Sequence, residues 1–483
     1  MRNTEMITAL YFKFDMKNTK KWLVSLLALC LACPIFAQQG AMEHKRSDGY
    51  EWPKDQKVLD KLAAWRDLKY GVIFHWGLYT VPGIMESWTL CGEDVDWITQ
   101  RRTENLTYEE YKKWYWGHKD QFNPTQFNPD AWADLMKKGG MKYMVFTTKH
   151  HEGFCMWDTK ETDFSIMNSP FGKDPRANVT KHVFEAFRKK GFMIGAYFSK
   201  PDWHSEYYWW PYFPTRDRNV NYNIKDHPER WEKFRQFTYN QIKELTNGDY
   251  GDIDILWLDG GQVAPRWYGQ DIHMDKIAAM ARQKQPGMIV VDRTVKGPNE
   301  NYQTPEGEVP ATQLDIPWET CFAMNGWGWR KEGQYKSSKR IIATFIEVVA
   351  KGGNFLLGVG PTAQGTIDPD ATNRVETVGK WVEKNGKGIY KTVNAKHYND
   401  GNVWFTADKD GETMYAFYAL PEKQEEVPEV IEWTTNIPAK KKVTLLSTGR
   451  RVKCTVEGNK VIVRLPKNVD RSESIGFSFK KDD

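Results

Sequence analysis

The residue with the clearest chemical potential is Asp259, which follows the largely apolar run 253–258 and directly precedes Gly260 and Gly261. Two glycines allow the chain to turn sharply away, so a carboxylate at this point would stand exposed at the end of a strand. Such a carboxylate can attack the anomeric carbon of a sugar in a retaining glycosidase. An Asp-Gly pair is also typical of a simple turn or a helix cap, and this segment alone leaves both interpretations open.

Three histidines also follow apolar runs: His75, and the adjacent pair His150 and His151. An imidazole can hydrogen-bond to a sugar hydroxyl or bind a metal ion. Neighbouring residues on a strand point to opposite faces, so both members of the pair can face one pocket only if the strand has ended. Barrel metallohydrolases usually carry two histidines one residue apart on the first strand, whereas His75 is followed by Trp76 and Gly77. We therefore predict no metal.

These side chains require a scaffold that brings the ends of several strands together. Six apolar runs alternate with amphipathic segments, which indicates a parallel sheet; the runs are 70–74, 143–147, 192–198, 253–258, 288–291 and 355–359. A possible seventh strand covers 317–321. His75, His150, Asp259 and Arg293 each follow a different run. This placement favours an irregular (β/α)8-like barrel of the TIM type, with its site at the C-terminal face, over an open doubly wound sheet.

The chain divides into three parts by pattern. Basic residues ahead of the apolar run 22–33 predict a signal peptide with an upstream extension over 1–37. The catalytic barrel is predicted over 45–387. Short alternating runs after it predict a C-terminal antiparallel β-sandwich over 388–483.

The predicted signal peptide implies an exported protein, most simply a periplasmic one, with lipoprotein or outer-membrane association left open. We expect no integral membrane segment in the mature chain. The net charge of +5 is small against 68 basic and 63 acidic residues. Because the sequence carries no basic stripe interleaved with aromatic residues, nucleic acid is not an expected partner.

Four collinear motifs carry a family resemblance. They are FHWGLYTVP from Phe74, TTKHHEGF from Thr147, LWLDGG from Leu256 and KGGNFLL from Lys351. Together they resemble the α-L-fucosidases of glycoside hydrolase family 29, and in particular exported bacterial, Bacteroides-like members. The resemblance implies a barrel followed by a β-sandwich, a retaining two-step mechanism without cofactor, and fucosylated oligosaccharides or glycoconjugates as substrates.

The resemblance also assigns residues. Asp259 matches the nucleophile. The positions that match sugar-binding residues are His75, His150, His151, Tyr197, Trp257, Arg293, Glu86 and Trp88. Ser87 stands between the last two, where the family often has Glu-Trp without an intervening residue, and Glu152 stands where the family usually has Asp.

The acid/base is expected on the variable loop after the Arg293 strand, where Glu306 in Thr-Pro-Glu resembles the form found in part of the family. Glu319 is the alternative, and Glu300 and Glu308 are further candidates. Two other functions stay open at this point: the same mechanism on a galactoside, or a glycan-binding protein with a crippled acid/base.

Overall fold

A computed structural model describes residues 49–92 and 106–481. The predicted signal peptide, together with the first residues of the predicted barrel domain, lies outside these ranges. Within them, no helix combines the length and the apolar character needed to cross a bilayer.

The first part of the chain folds around a parallel sheet of seven strands. These are β1 (Tyr70–Phe74), β2 (Tyr143–Lys149), β3 (Met193–Ser199), β4 (Ile255–Asp259), β5 (Ile289–Asp292), β6 (Glu319–Ala323) and β7 (Asn354–Val359). Their order in the sheet is β5-β4-β3-β2-β1-β7-β6. Each of the six predicted apolar runs overlaps one strand. The additional strand predicted over 317–321 corresponds to β6, which begins two residues later. The predicted (β/α)8-like barrel is confirmed.

The gap between the two edge strands, β5 and β6, is filled by the irregular segment 299–307. The Asn301 N–H donates to the Val290 carbonyl on one side (2.9 Å), and the Cys321 N–H donates to the Pro305 carbonyl on the other (3.1 Å). Proline has no N–H with which to extend a ladder, so this segment cannot form a regular strand. The barrel is therefore closed by the same segment that carries Glu306.

Helices surround the barrel. They are α1 (Gln56–Leu68), α2 (Tyr108–Gly117), α3 (Pro129–Lys138), α4 (Val179–Lys189), α5 (Pro228–Thr246), α6 (Met274–Lys284), α7 (Ser338–Ala350) and α8 (Pro369–Asn385). Helix α3 begins as its sequence predicts, because the Asn128 side chain accepts from the Ala131 N–H (3.0 Å) and Pro129 takes the first helical position.

Much of the aromatic content fills the inside of the barrel. Trp65, Tyr143, Tyr197, Trp257 and Tyr302 form part of one buried cluster. Trp65 stacks on Tyr302 with ring centroids 4.0 Å apart, which joins α1 to the closing segment. These large, rigid rings pack beneath the catalytic face and support it.

The second part of the chain is an eight-stranded antiparallel sheet. Its strands are β8 (Val393–Asp400), β9 (Val403–Ala407), β10 (Thr413–Tyr418), β11 (Val430–Trp433), β12 (Val443–Leu445), β13 (Arg451–Glu457), β14 (Lys460–Arg464) and β15 (Ile475–Lys480). The order is β11-β14-β13-β12-β15-β10-β9-β8. Asn436, just after edge strand β11, donates to the His397 carbonyl of the other edge strand (2.7 Å), so the sheet curls around its own core.

The antiparallel sheet packs on the barrel through α7 and α8. The Trp381 indole N–H donates to the Ser474 carbonyl (2.7 Å), and its ring lies 6.0 Å from that of Phe417 on β10. The predicted boundary at 387/388 falls between α8 and β8, and it stays a prediction.

Candidate active site

Asp259 is the last residue of β4 and lies at the C-terminal edge of the barrel. The chain leaves the strand at Gly260, which has φ of 89°. A Cβ atom at Gly260 would lie 2.2 Å from Cδ of Pro201, so both the backbone conformation and the space require glycine. The sharp turn directs the carboxylate toward the pocket, where 17% of the side chain is exposed.

Two side chains hold the Asp259 carboxylate, and a third lies close to it. The Tyr197 hydroxyl donates to Oδ2 (2.6 Å), Nη1 of Arg293 donates to Oδ1 (3.0 Å), and Nε2 of His151 lies 3.7 Å from Oδ2. Burial alone would raise the pKa of Asp259, but Arg293 and the Tyr197 hydrogen bond lower that pKa below its ordinary value. Asp259 is therefore ionised at neutral pH.

The Arg293 guanidinium reaches a second carboxylate. Nη2 of Arg293 contacts Oε2 of Glu306, while its Nε donates to the Thr304 hydroxyl (3.0 Å). The Trp327 indole N–H donates to the other oxygen of Glu306 (2.9 Å). One guanidinium thus touches both carboxylates, an arrangement compatible with the separation of about 5 Å between carboxyl groups that a retaining glycosidase needs.

The three histidines meet on one side of Asp259. Strand β2 ends at Lys149, after a shift in its register with β3, so His150 and His151 both face the pocket. Their ring centroids are 4.4 Å apart, and the His75 ring lies 5.5 Å from His150. Burial lowers the pKa of His75 and of His151, which favours the neutral imidazole for both.

Glu86 and Trp88 take different places. The Trp88 ring lies 5.0 Å from His151 and 5.3 Å from Trp203, so it borders the pocket. Glu86 is buried, and its Oε2 lies 3.5 Å from the Gly328 N–H and 3.9 Å from Arg330. Its contacts are thus with the loop that carries Trp327.

Glu319 occupies the opposite end of the barrel from Asp259. It is the first residue of β6, whereas the catalytic face is formed by strand ends. The Tyr143 hydroxyl donates to one carboxylate oxygen (2.6 Å) and the Trp257 indole N–H to the other (3.3 Å). Burial raises the pKa of Glu319 to about 7, although these hydrogen bonds act in the other direction.

Known proteins agree with this geometry. A family model described as alpha-L-fucosidase matches residues 36–387. Plasma alpha-L-fucosidase of Homo sapiens is 27% identical over 445 residues, which is 84% of this chain and 86% of the relative. Two solved structures are each 26% identical to this chain and are covered over their whole length. Alpha-L-fucosidase isoenzyme 1 of Paenibacillus thiaminolyticus has a TM-score of 0.71 and matches 88% of this chain. Thermotoga maritima alpha-fucosidase in complex with fucose has a TM-score of 0.68 and matches 89% of this chain.

The chain belongs to the α-L-fucosidase family. It is a glycoside hydrolase that releases α-L-fucosyl residues with retention of configuration. The family, the enzyme class and the reaction predicted from the sequence are confirmed, while the roles of individual residues remain to be assigned.

The fucosidase site also contains residues that the sequence did not single out. Trp327 and Thr304 hold Glu306 and Arg293, and two serines, Ser87 and Ser199, contact the histidine pair. One feature of the sequence could have identified Trp327 as a site residue: it lies between two glycines just after a strand. The serines had none, since their partners are distant in the chain.

The same fucosidase pocket contains the one candidate metal cluster in the described ranges. Ligand atoms of His150, His151 and Asp259 lie within 4.8 Å of one another. Arg293 already supplies positive charge to Asp259. The absence of a metal stays a prediction.

We predict that Glu319→Gln flattens the pH dependence of fucosidase stability. Between pH 4.5 and about 7 the folded protein keeps a proton on Glu319 that the unfolded chain releases. The free energy of unfolding therefore falls as pH rises through this window, by about 3 kcal/mol for this group. Urea unfolding at pH 5 and pH 8 measures the difference.

The control for this experiment is Glu308→Gln, which changes an exposed glutamate. It should keep the wild-type pH dependence. Equal pH dependence in wild type and Glu319→Gln would contradict the raised pKa.

Proposed function

We propose that Asp259 is the nucleophile and Glu306 the acid/base of this fucosidase. The observation that carries the proposal is the shared contact of both carboxylates with Arg293. Glu319 is not favoured, because both of its carboxylate oxygens accept hydrogen bonds from Tyr143 and Trp257 at the far end of the barrel. Glu300 is not favoured either, because one of its carboxylate oxygens accepts a hydrogen bond from the Thr294 N–H (2.7 Å).

The mechanism has two displacements. In the first, an Asp259 oxygen bonds to the anomeric carbon while the glycosidic C–O bond breaks, and protonated Glu306 gives its proton to the leaving oxygen. In the second, the Glu306 carboxylate takes a proton from water, whose oxygen attacks the anomeric carbon and releases Asp259. The lowered pKa of Asp259 keeps the nucleophile ionised for the first step.

The pocket beside Asp259 is proposed to bind the terminal fucose of oligosaccharides and glycoconjugates. Its polar groups come from His75, His150, His151, Tyr197 and Arg293. Trp88 and Trp257 supply ring surface, and buried Glu86 supports the Trp327 loop. That the similar Thermotoga maritima enzyme was solved in complex with fucose supports this interpretation.

Removal of the nucleophile tests the first assignment. We expect Asp259→Gly to lower turnover of an aryl α-L-fucoside by roughly 10³-fold or more, because no covalent intermediate can form. Azide should enter the vacated space and restore part of the turnover by forming a fucosyl azide of inverted configuration. Asp249→Gly, which changes an exposed loop residue, is the control. Full activity of Asp259→Gly would refute the assignment.

Leaving-group dependence tests the acid/base. For Glu306→Ala we expect a loss of about 10²- to 10⁴-fold on fucosides with poor leaving groups. The first step should survive with a dinitrophenyl leaving group, which needs no proton. Azide should then accelerate the second step and give a fucosyl azide of retained configuration.

Glu319→Gln is the matched comparison, because it alters the competing glutamate. Its leaving-group dependence should equal that of the wild type. Azide rescue in Glu319→Gln, and none in Glu306→Ala, would reverse the two roles.

We also propose that the enzyme is exported, with removal of the predicted signal peptide 1–37 and release to the periplasm. The support is the basic segment followed by the apolar run 22–33. Expression of the full chain in a Gram-negative host should place fucosidase activity in the periplasmic fraction, with a mature N-terminus near Gln38. Cytoplasmic activity with an uncut N-terminus would contradict export.

A further inference from the structure

Two buried serines contact the histidine pair on the side away from the substrate. The Ser199 hydroxyl lies 2.6 Å from Nδ1 of His151, and the Ser87 hydroxyl lies 2.6 Å from Nδ1 of His150. Both serines are fully buried. A serine hydroxyl has a single proton. If the serine donates this proton to another group, its oxygen can only accept from the histidine, and Nδ1 must then carry a proton.

For His151 the direction follows from a carbonyl. The Ser199 hydroxyl donates to the Pro201 carbonyl (2.7 Å), and a carbonyl can only accept. Ser199 must therefore accept from His151, which places a proton on Nδ1. Because burial lowers the pKa of His151, the ring is neutral and its Nε2 carries a free lone pair.

For His150 the same direction follows from a carboxylate. The Ser87 hydroxyl donates to Oε2 of Glu152 and accepts from the Glu152 N–H (3.1 Å). A carboxylate can only accept, so the remaining lone pair of Ser87 accepts from Nδ1 of His150. His150 then has the same tautomer as His151.

The tautomer of His151 determines whether the atom that faces Asp259, the proposed nucleophile, carries a proton. Nε2 of His151 lies 3.7 Å from Oδ2 of Asp259, and both atoms are hydrogen-bond acceptors. No proton lies between them to satisfy the pair. A sugar hydroxyl that approaches either atom must therefore act as the donor, because each atom can only accept.

We propose that Ser199 with the Pro201 carbonyl, and Ser87 with Glu152, are positioning residues that hold His151 and His150 as Nδ1–H tautomers, so that the pocket selects sugar hydroxyls acting as donors. The proposal rests on the proposed binding of the sugar by these two histidines. It assigns Ser87 and Glu152, which are departures from the family pattern, a joint role in substrate recognition.

The tautomers can be measured without any sugar. In free enzyme labelled with ¹⁵N-histidine, the signals of His150 and His151, identified by their loss in His150→Asn and His151→Asn, should show a protonated Nδ1 and an unprotonated Nε2. Ser199→Ala and Ser87→Ala should shift His151 and His150, respectively, toward the Nε2–H tautomer that free imidazole favours. The threonine variants keep the hydroxyl and should preserve the wild-type signals.

Kinetics on an aryl fucoside give the second measurement. Each alanine variant should lose roughly 10- to 100-fold in kcat/KM, since Nε2 then carries a proton and cannot accept from a sugar hydroxyl. Ser165→Ala removes another buried hydroxyl, at the start of a 3₁₀ turn away from the pocket, and should keep wild-type values.

Substrate analogues separate donor recognition from a merely structural role. Fluorine cannot donate a hydrogen bond. When a fucose hydroxyl that contacts the histidines is replaced by fluorine, the analogue should therefore bind the wild-type enzyme as weakly as the fucose that lacks this hydroxyl. Ser199→Ala should regain part of the binding of the fluoro analogue relative to the deoxy analogue.

Two results would overturn the proposal: Nε2–H tautomers in the free wild-type enzyme, or fluoro analogues that bind wild type as well as fucose does. Failure of the Asp259 or Glu306 assignment would leave the sugar-free tautomer measurement intact, so the two failures are distinguishable.

Discussion

The structure of this site depends on one guanidinium group placed between two carboxylates. Arg293 contacts Asp259 through one terminal nitrogen and Glu306 through the other. This contact keeps Asp259 ionised and holds Glu306 beside the same space. The Arg293 side chain is only 9% exposed, so water weakens these contacts little.

The barrel interior explains why Arg293 has a defined position. Its guanidinium lies 4.9 Å above the Trp257 ring, and the Trp257 indole donates to Glu319 below. The Tyr197 ring stacks on Trp257 at 5.2 Å while its hydroxyl holds Asp259. A buried polar chain thus runs from the floor of the barrel to its catalytic face. Glu319 lies at the base of this chain, where it contacts Trp257.

Prediction from sequence succeeded where the signal is local. Buried parallel strands are continuous apolar runs, and the end of such a run locates a side chain at the catalytic face. This is sufficient to place Asp259, His75 and Arg293 at the ends of strands. It also located six strands, and a seventh with its start shifted by two residues. Prediction of an eighth strand had no such basis, because the segment around Pro305 is polar and pairs with its neighbours only through isolated bridges.

By itself, the sequence determined the alternation of strand and helix, the change to antiparallel strands after α8, and the position of Asp259 at a strand end followed by glycine. These follow from hydrophobic periodicity and backbone freedom within a few residues. Only the tertiary structure decided that Glu306 meets Arg293 while Glu319 lies at the other end of the barrel. Both glutamates follow short polar or mixed segments, and what separates them is closure of the barrel by segment 299–307. Closure brings together residues that are distant in the chain, and no local pattern records such contacts.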